Sequence, residues 1–293
     1  MGIVVTDQRR GLVWGLDSVG DHAARHQNGR ERPAEQPAVS VLGPDARRDP
    51  IPHRVTVVIP AKNEAANLRY VLPALPHWIH EVVLVDGNST DGTQDVAREL
   101  RPDIRVVAQQ GRGKGAALRA GFAAATGDII VMLDADGSTD PAEIPIFVGA
   151  LLAGADFAKG SRFLQGGGTA DMPFYRRLGN QALTHLVRTL YGGRYSDLCY
   201  GYNAFWASVV PQLALECDGF EIETMMNVRA LKAGLRITEV PSFEAERIHG
   251  SSNLRTIPDG WRVLKTIMSE RRRSCASGSG RRLDHQAQQP ILE

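Results

Sequence analysis

The sequence predicts an α/β protein, a mainly parallel β-sheet flanked by helices in a single domain with flexible ends. Three observations carry this expectation. Short β-branched runs recur from Val55 onward, each is followed by a segment with apolar residues at helical spacing, and the polar clusters fall where the runs stop. Alternation of this kind means βαβ units and a parallel sheet. In such sheets ligands bind outside the carboxyl ends of the strands.

The elements follow in order. Val55-Thr-Val-Val-Ile59 reads as a buried strand stopped by Pro60. Leu68, Val71, Leu72 and Leu75 share one face of a helix from Asn63 to Leu75, with Asn63 as its N-cap. Glu81 to Val85 is a second buried run closed by the turn Asp86-Gly87-Asn88, Thr90 to Leu100 is helical, and Ile104 to Ala108 is the third strand. Gly115 to Thr126 makes a small-residue helix, and Asp128 to Leu133 is a fourth strand ending in Asp134-Ala135-Asp136. Pro141 to Ala153 is a helix and Asp156 to Lys159 a short strand. Tyr175 to Leu190 is a further helix, and Met225 to Leu235 and Trp261 to Met268 are amphipathic helices of a length that suits core packing.

Composition bounds the rest. The 293 residues are 43% apolar and 23% charged, which excludes collagen, coiled coil, disulfide scaffolds and wholesale disorder. Residues 1–53 have no sustained period and one aromatic, Trp14, so they are expected to be disordered, as is the tail 271–293; the domain proper is 54–270. Limited proteolysis should trim the chain to roughly Arg54 without loss of ligand binding. A net charge of +1 provides no global field toward nucleic acid or anionic lipid. Cys199, Cys217 and Cys275 lie far apart with no CxxC, as reduced thiols of a cytoplasmic protein would. The start MGIVVTDQRR meets charge by Asp7 and does not read as a secretory signal. The longest apolar stretch, Ile144 to Ala155, is shorter than the roughly 20 residues of a bilayer span.

Three strand-end clusters carry chemistry. Asp134 and Asp136 alternate, so both can face one ion only if the chain turns, and Gly137 supplies the turn; hard oxygen ligands suit Mg²⁺ or Mn²⁺. The bland alternative is a solvated turn before the Pro141 helix. Asp86 can accept hydrogen bonds from a nucleobase or ribose, while Asp91 reads as a cap for the following helix. Gly111-Arg-Gly-Lys114-Gly115 opens a helix, and backbone N–H groups beside a cation suit a phosphate, although the spacing is not that of a Walker loop.

In this order and at these strand ends, IPAKNEAANL, VDGNSTDGT, GRGKGAALRAGF and DADGS resemble glycosyltransferase family 2, the GT-A nucleotide-sugar enzymes. The likeness runs from Val55 to about Met268. The second half is similar to the dolichyl- and polyprenyl-phosphate hexose synthases through Gly160-Ser-Arg162-Phe, Gly166-Gly-Gly168, Arg177 with Asn180, Asp197 before Gly201-Tyr202, and Arg247 with His249-Gly-Ser-Ser-Asn253-Leu254. The resemblance implies a GT-A fold and an inverting transfer of a hexose from a UDP- or GDP-sugar to a polyprenyl-phosphate-like acceptor. It implies Asp134 and Asp136 as ligands of Mg²⁺ or Mn²⁺, with Asp136 in the catalytic set. Pro60, Ala61, Asn63, Glu64, Asp86, Lys114 and Ala135 join them around the donor. Arg162, Arg177 and Arg247 are implied at the acceptor phosphate. A cytoplasmic enzyme is expected, with peripheral contact at the inner face of the membrane and no nucleic-acid partner.

A hydroxyl acceptor on a glycan or small metabolite would need a base, for which Glu221, Glu223 and Asp197 are the available carboxylates. Glu221 and Glu223 alternate, so only one of them faces the cleft, whether the segment is extended or helical. The chain departs from the family pattern at Gly87, where many members carry an acid, at Ser138, often a better metal ligand, and at Asn203, commonly basic. A non-catalytic nucleotide-sugar binding protein is the reading from another class, and the intact Asp86, Asp134 and Asp136 argue against it.

Overall fold

The computed structural model describes residues 53–170, 172–251 and 254–273. The expected disorder of residues 1–52, the tail beyond 273 and the motif residue Asn253 lie outside the described residues. The elements run β1 (Val55–Ala61), α1 (Ala65–Ala74), β2 (Glu81–Asp86), α2 (Thr93–Leu100), β3 (Arg105–Ala108), α3 (Lys114–Ala124), β4 (Ile129–Met132), α4 (Ile144–Leu152) and β5 (Phe157–Ser161). The second half adds β6 (Gly168–Thr169), α5 (Phe174–Tyr191), β7 (Asn203–Trp206), α6 (Val210–Leu213), α7 (Ile222–Lys232), β8 (Ile237–Pro241), β9 (Phe243–Glu244) and α8 (Thr256–Arg272).

Seven strands form one sheet in the order β3-β2-β1-β4-β7-β5-β8, and β6 pairs with β9 in a small second sheet. All main-sheet neighbours are parallel except β7, which runs against both β4 and β5. β1, β2 and β4 are buried on both faces, which is why their sequences are unbroken apolar runs and not alternating ones. α3 packs on β1 to β3, α4 covers β5, β7 and β8, and α5, α7 and α8 pack with one another. That last contact has its own small core of Val187, Tyr195, Leu198, Val228, Val263 and Ile267.

The structure corrects several expectations. β1 runs through Pro60 to Ala61. Ala61 O accepts from Gly87 N on the β2 side, so Pro60, one residue earlier, faces β4, whose pairing with β1 has already ended at Met132. Its missing N–H therefore removes no ladder bond. Asn63 is not the cap of α1, which starts two residues later. Asn63 takes a left-handed φ of 57°, and the first free N–H of α1, at Ala65, donates instead to Asp91 Oδ2 at 3.0 Å. Asp91 also accepts from Thr93 N at 3.0 Å, so it caps its own helix as expected and a neighbour's besides. The antiparallel β7 and the strand β8 went unrecognised in the sequence because each is short and only β7 is fully buried.

Gly121 marks where α3 meets the sheet. A Cβ there would lie 2.3 Å from Val58 Cγ1 and 2.9 Å from Val85 Cγ2. Gly121→Ala is expected to destabilise the fold by about 1–3 kcal/mol, read as a lower urea midpoint with an unchanged slope. An unchanged midpoint would mean that α3 rides over the sheet without strain.

Candidate active site

The loops after β1 and β2 close on each other at the carboxyl end of the sheet. Asn63 N donates to Ser89 Oγ at 2.8 Å, Thr90 N donates to Asn63 Oδ1 at 2.8 Å, and Glu64 N donates to Thr93 Oγ1 at 2.9 Å. Asp86 is buried at the end of β2. Its Oδ2 accepts from Gln94 Nε2 at 2.8 Å and Ser89 N at 3.2 Å. Its Oδ1 is buried and accepts nothing within the protein. An orphaned buried carboxylate oxygen costs desolvation free energy, which a ligand donor would recover.

Gly137 turns the chain after β4 with φ 78°. Asp136 Oδ1 accepts from Ser138 N at 3.0 Å and Ser138 Oγ at 2.7 Å, which explains the serine there: it ties the turn. Asp136 Oδ2 pairs with Arg247 at 3.1 Å, and the same guanidinium reaches both oxygens of Glu64 at 2.9 and 3.0 Å. Arg247 is carried by a strap, residues 245–251, laid across the strand ends. Ala245 N donates to Ser138 O at 2.8 Å, Ile248 N to Asp136 O at 3.2 Å, and His249 N to Asn67 Oδ1 at 2.9 Å. A cavity of about 330 Å³ lies between this strap and the β1 loop, lined by Lys62, Glu64, Asn67, Asp91 and Arg247.

Asp134 pairs with Lys114 at 2.7 Å, and Lys114 pairs with Glu223 at 2.7 Å. Burial opposes the charge on Lys114, but the two carboxylates outweigh it and hold its pKa above the usual lysine range. Burial pushes Glu223 the other way, upward, with Lys114 opposing. Lys114, the first residue of α3, meets Glu223 in the first turn of α7 because the segment 217–219 crosses the Gly loop. Gly115 N donates to Asp218 O at 2.8 Å and Ala116 N at 3.3 Å. A Cβ at Gly113 would lie 2.3 Å from Asp218 O, and one at Gly115 2.4 Å from Cys217 O. This corrects the expectation of a phosphate cradle: the glycines admit another backbone strand, and the helix-start N–H groups are already bonded to it. Lys114 remains as the loop's contribution.

Arg162 and Asp197 are also corrected. Asp197 is fully buried; its carboxylate receives Arg162 Nε at 2.7 Å, Arg162 Nη2 at 2.9 Å and Asn180 Nδ2 at 2.9 Å. Burial works against its charge, but the Arg162 guanidinium outweighs it and holds the carboxyl below the usual range. Arg162 Nη1 reaches Glu244 at 2.9 Å. The pair is an internal strut, so Arg162 does not stand open to an acceptor and Asp197 does not stand open as a base. Arg177 is exposed on α5, its guanidinium 5.4 Å from the Phe163 ring. Glu221 curls back on its own loop, its Oε1 accepting from Gly219 N at 3.3 Å. Its Oε2 is buried and accepts nothing within the protein; of the alternating pair, Glu223 is the one that pairs with Lys114. Pro60, Ala61 and Ala135 lie at the ends of β1 and β4 beside these loops.

Sequence reasoning missed Lys159. Its side chain is fully buried, and Nζ donates to Gly160 O at 2.8 Å and Tyr200 O at 3.0 Å. Burial lowers its pKa, with Asp197 and Glu223 opposing. Lys159 is the register partner of Asn203 across β5 and β7, so a buried lysine sits beside the position that is commonly basic. A lysine in an otherwise apolar strand was the available signal. The backbone it holds matters: a Cβ on Gly201 would lie 2.7 Å from Glu223 Oε1 and 2.8 Å from Lys114 Nζ.

The donor set fits a hard divalent cation. Asp134 and Asp136 flank Ala135 beside the turn at Gly137, each balanced here by a cation, Lys114 or Arg247, and carboxylate oxygens are hard donors of the kind Mg²⁺ or Mn²⁺ takes. Among the described residues no group of three ligating side chains gathers, so water and ligand oxygens would complete the coordination of an ion at this turn.

Comparison with known proteins agrees. The model of the family "Glycosyl transferase family 2" matches residues 56–209. Glycosyltransferase AglJ of Haloferax volcanii is 33% identical over 214 residues, covering 72% of this chain and 70% of that protein. Polyprenol monophosphomannose synthase of Mycolicibacterium smegmatis is 33% identical over 214 residues, covering 69% and 81%. Among solved structures, glucosyl-3-phosphoglycerate synthase of Mycobacterium tuberculosis, in complex with Mn²⁺, uridine diphosphate and phosphoglyceric acid, superposes with a TM-score of 0.60 at 23% identity, over 75% of this chain and 79% of that one. That likeness shows the GT-A fold. With the sheet order, the Asp-Ala-Asp turn and the buried strand-end aspartate already in place, the chain belongs to glycosyltransferase family 2.

Proposed function

We propose that the enzyme transfers a hexose, with inversion, from a UDP- or GDP-linked sugar to the phosphate of a polyprenyl-phosphate acceptor. One observation favours phosphate over hydroxyl. Two of the three carboxylates that could serve as base are already engaged as charges, Asp197 by Arg162 and Glu223 by Lys114, while Glu221 accepts from Gly219 N through Oε1 and keeps Oε2 buried without a partner. A phosphate oxygen is already anionic and needs no base. In the transfer it forms a bond to the anomeric carbon while the bond from that carbon to the donor's diphosphate breaks, and the nucleoside diphosphate leaves.

Asp86 would accept from the nucleoside through its orphaned oxygen, with the loops around Pro60, Ala61, Asn63, Glu64 and Ala135 forming the pocket wall. Asp134 and Asp136 would hold Mg²⁺ or Mn²⁺, which when bound neutralises charge on the departing diphosphate. Lys114 would balance Asp134 and hold Glu223. Arg177 and Arg247 would meet the acceptor phosphate. The names of the relatives, among them a second prenyl-phosphate enzyme, undecaprenyl-phosphate mannosyltransferase of Micrococcus luteus, 32% identical over 213 residues, support this reading. Peripheral association with the inner face of a membrane follows from such an acceptor; no helix among the described residues is long and apolar enough to cross one.

The test is turnover of labelled UDP- and GDP-sugars with Mg²⁺ or Mn²⁺ and polyprenyl phosphate, giving an acid-labile sugar phosphate. Arg177→Ala should weaken the acceptor roughly tenfold or more in KM and leave donor binding unchanged. Rapid transfer to a neutral alcohol, lost in Glu223→Gln and indifferent to Arg177→Ala, would replace this reading with the hydroxyl one.

A further inference from the structure

The exposed large apolar residues of the second half are concentrated on two neighbouring helix starts. On α5, Phe174 is 80% exposed, with Tyr175 and Leu178 exposed beside it; on α8, Ile257 is 84% and Trp261 62% exposed, followed by Met268. Arg176 Nε donates to Thr256 Oγ1 at 3.1 Å, which places the two starts side by side. On α8 the residues Ile257, Trp261 and Met268 fall within an arc of about 40°, and Lys265 and Arg272 flank it.

The charge on this face is of one sign. α5 contains no acidic residue. The two acids of α8 are both buried: Asp259 accepts from Arg255 N at 2.7 Å and pairs with Arg262 at 3.2 Å, and Glu270 lies against Arg229 at 2.6 Å and Lys232 at 2.9 Å. What α5 and α8 expose is Arg177, Arg188, Arg262, Lys265, Arg271 and Arg272. Among the described residues, the side chains that α5 and α8 expose with charge are thus basic, around aromatic and aliphatic residues, although the net charge of the whole chain is only +1. Indole, phenol and aliphatic groups interleaved with Arg and Lys match the interfacial zone of a bilayer with anionic headgroups. The face borders Arg177 and, through the Phe163 ring, the loop after β5.

We propose that the α5 start and the outer face of α8 form a docking surface for an anionic lipid bilayer, which brings the acceptor-side arginine Arg177 to the headgroup level. The inference rests on the membrane-borne acceptor of the preceding reading and is tested apart from it. The full chain is sedimented with vesicles of phosphatidylcholine and with equimolar phosphatidylcholine and phosphatidylglycerol. Wild type should bind the mixed vesicles far better, and added salt should release it. The double variant Ile257→Ser, Trp261→Ser, with an unchanged urea midpoint, should lose about tenfold or more in partition, and Arg262→Ala with Lys265→Ala a similar factor. Turnover of a short, water-soluble prenyl phosphate should be unchanged in the Ile257, Trp261 variant, while turnover of a long-chain acceptor in mixed vesicles falls by the same factor as binding. Equal binding of wild type to both vesicles, an unaffected double variant, or a dimer that Trp261→Ser dissociates would overturn the surface. Vesicle binding that needs the patch, with no transfer to either prenyl phosphate, would uphold the surface and sink the acceptor reading.

Discussion

Asp136→Asn should lower sugar transfer by roughly two to three orders of magnitude while leaving the urea midpoint close to that of wild type. The carboxylate lies on a turn outside the core, so its loss removes no packing. The amide keeps an oxygen for Ser138 N and Oγ but loses the charge that pairs with Arg247 and that would ligate the cation. Asp134→Asn should act alike, with the added effect of leaving Lys114 paired with Glu223 alone. Excess Mn²⁺ should restore part of the activity in either variant if the ion's affinity has fallen, and EDTA should silence wild type. Transfer that survives both EDTA and Asp136→Asn would remove the metal role altogether.

Asp197→Ala should be the most destabilising single change among the site residues. It leaves the buried Arg162 guanidinium without its bidentate partner and Asn180 without its acceptor; breaking a buried pair from one side costs about 3–5 kcal/mol. For a domain of this size that is a fall in Tm of roughly 10 °C. The pair also sets an acid limit. Asp197 titrates below its unfolded value of about 4, so its stabilisation is complete above that value and is lost as the pH falls through the lower folded value. A variant as stable as wild type, inactive only on a hydroxyl acceptor, would return Asp197 to the role of base.

The first half of the fold was readable because buried parallel strands leave unbroken apolar runs, and the polar clusters at their ends located Asp86, Asp134 and Asp136. What sequence could not supply was the partner of each group. Arg162 and Asp197 are 35 residues apart, and each looked available until the fold joined them. The Gly111–Gly115 loop invited a phosphate because glycines admit any close approach, and only the structure identifies the approaching group as the 217–219 backbone. Asn203 looked like a missing cation because its strand partner is remote in sequence; that partner is Lys159, a buried lysine whose Nζ holds Gly160 O and Tyr200 O.

That backbone crossing bears on how the enzyme can be recombined. The family match ends at residue 209, which invites a chimera joined there. Such a chimera would bring a foreign segment over Gly113 and Gly115, where contacts of carbonyl oxygens with Cα leave no room for a different path. A graft has to carry α3 and the 213–223 segment together, or fuse inside α7 beyond Glu223. The exchangeable unit is therefore discontinuous in sequence, joined where the 217–219 backbone crosses Gly113 and Gly115.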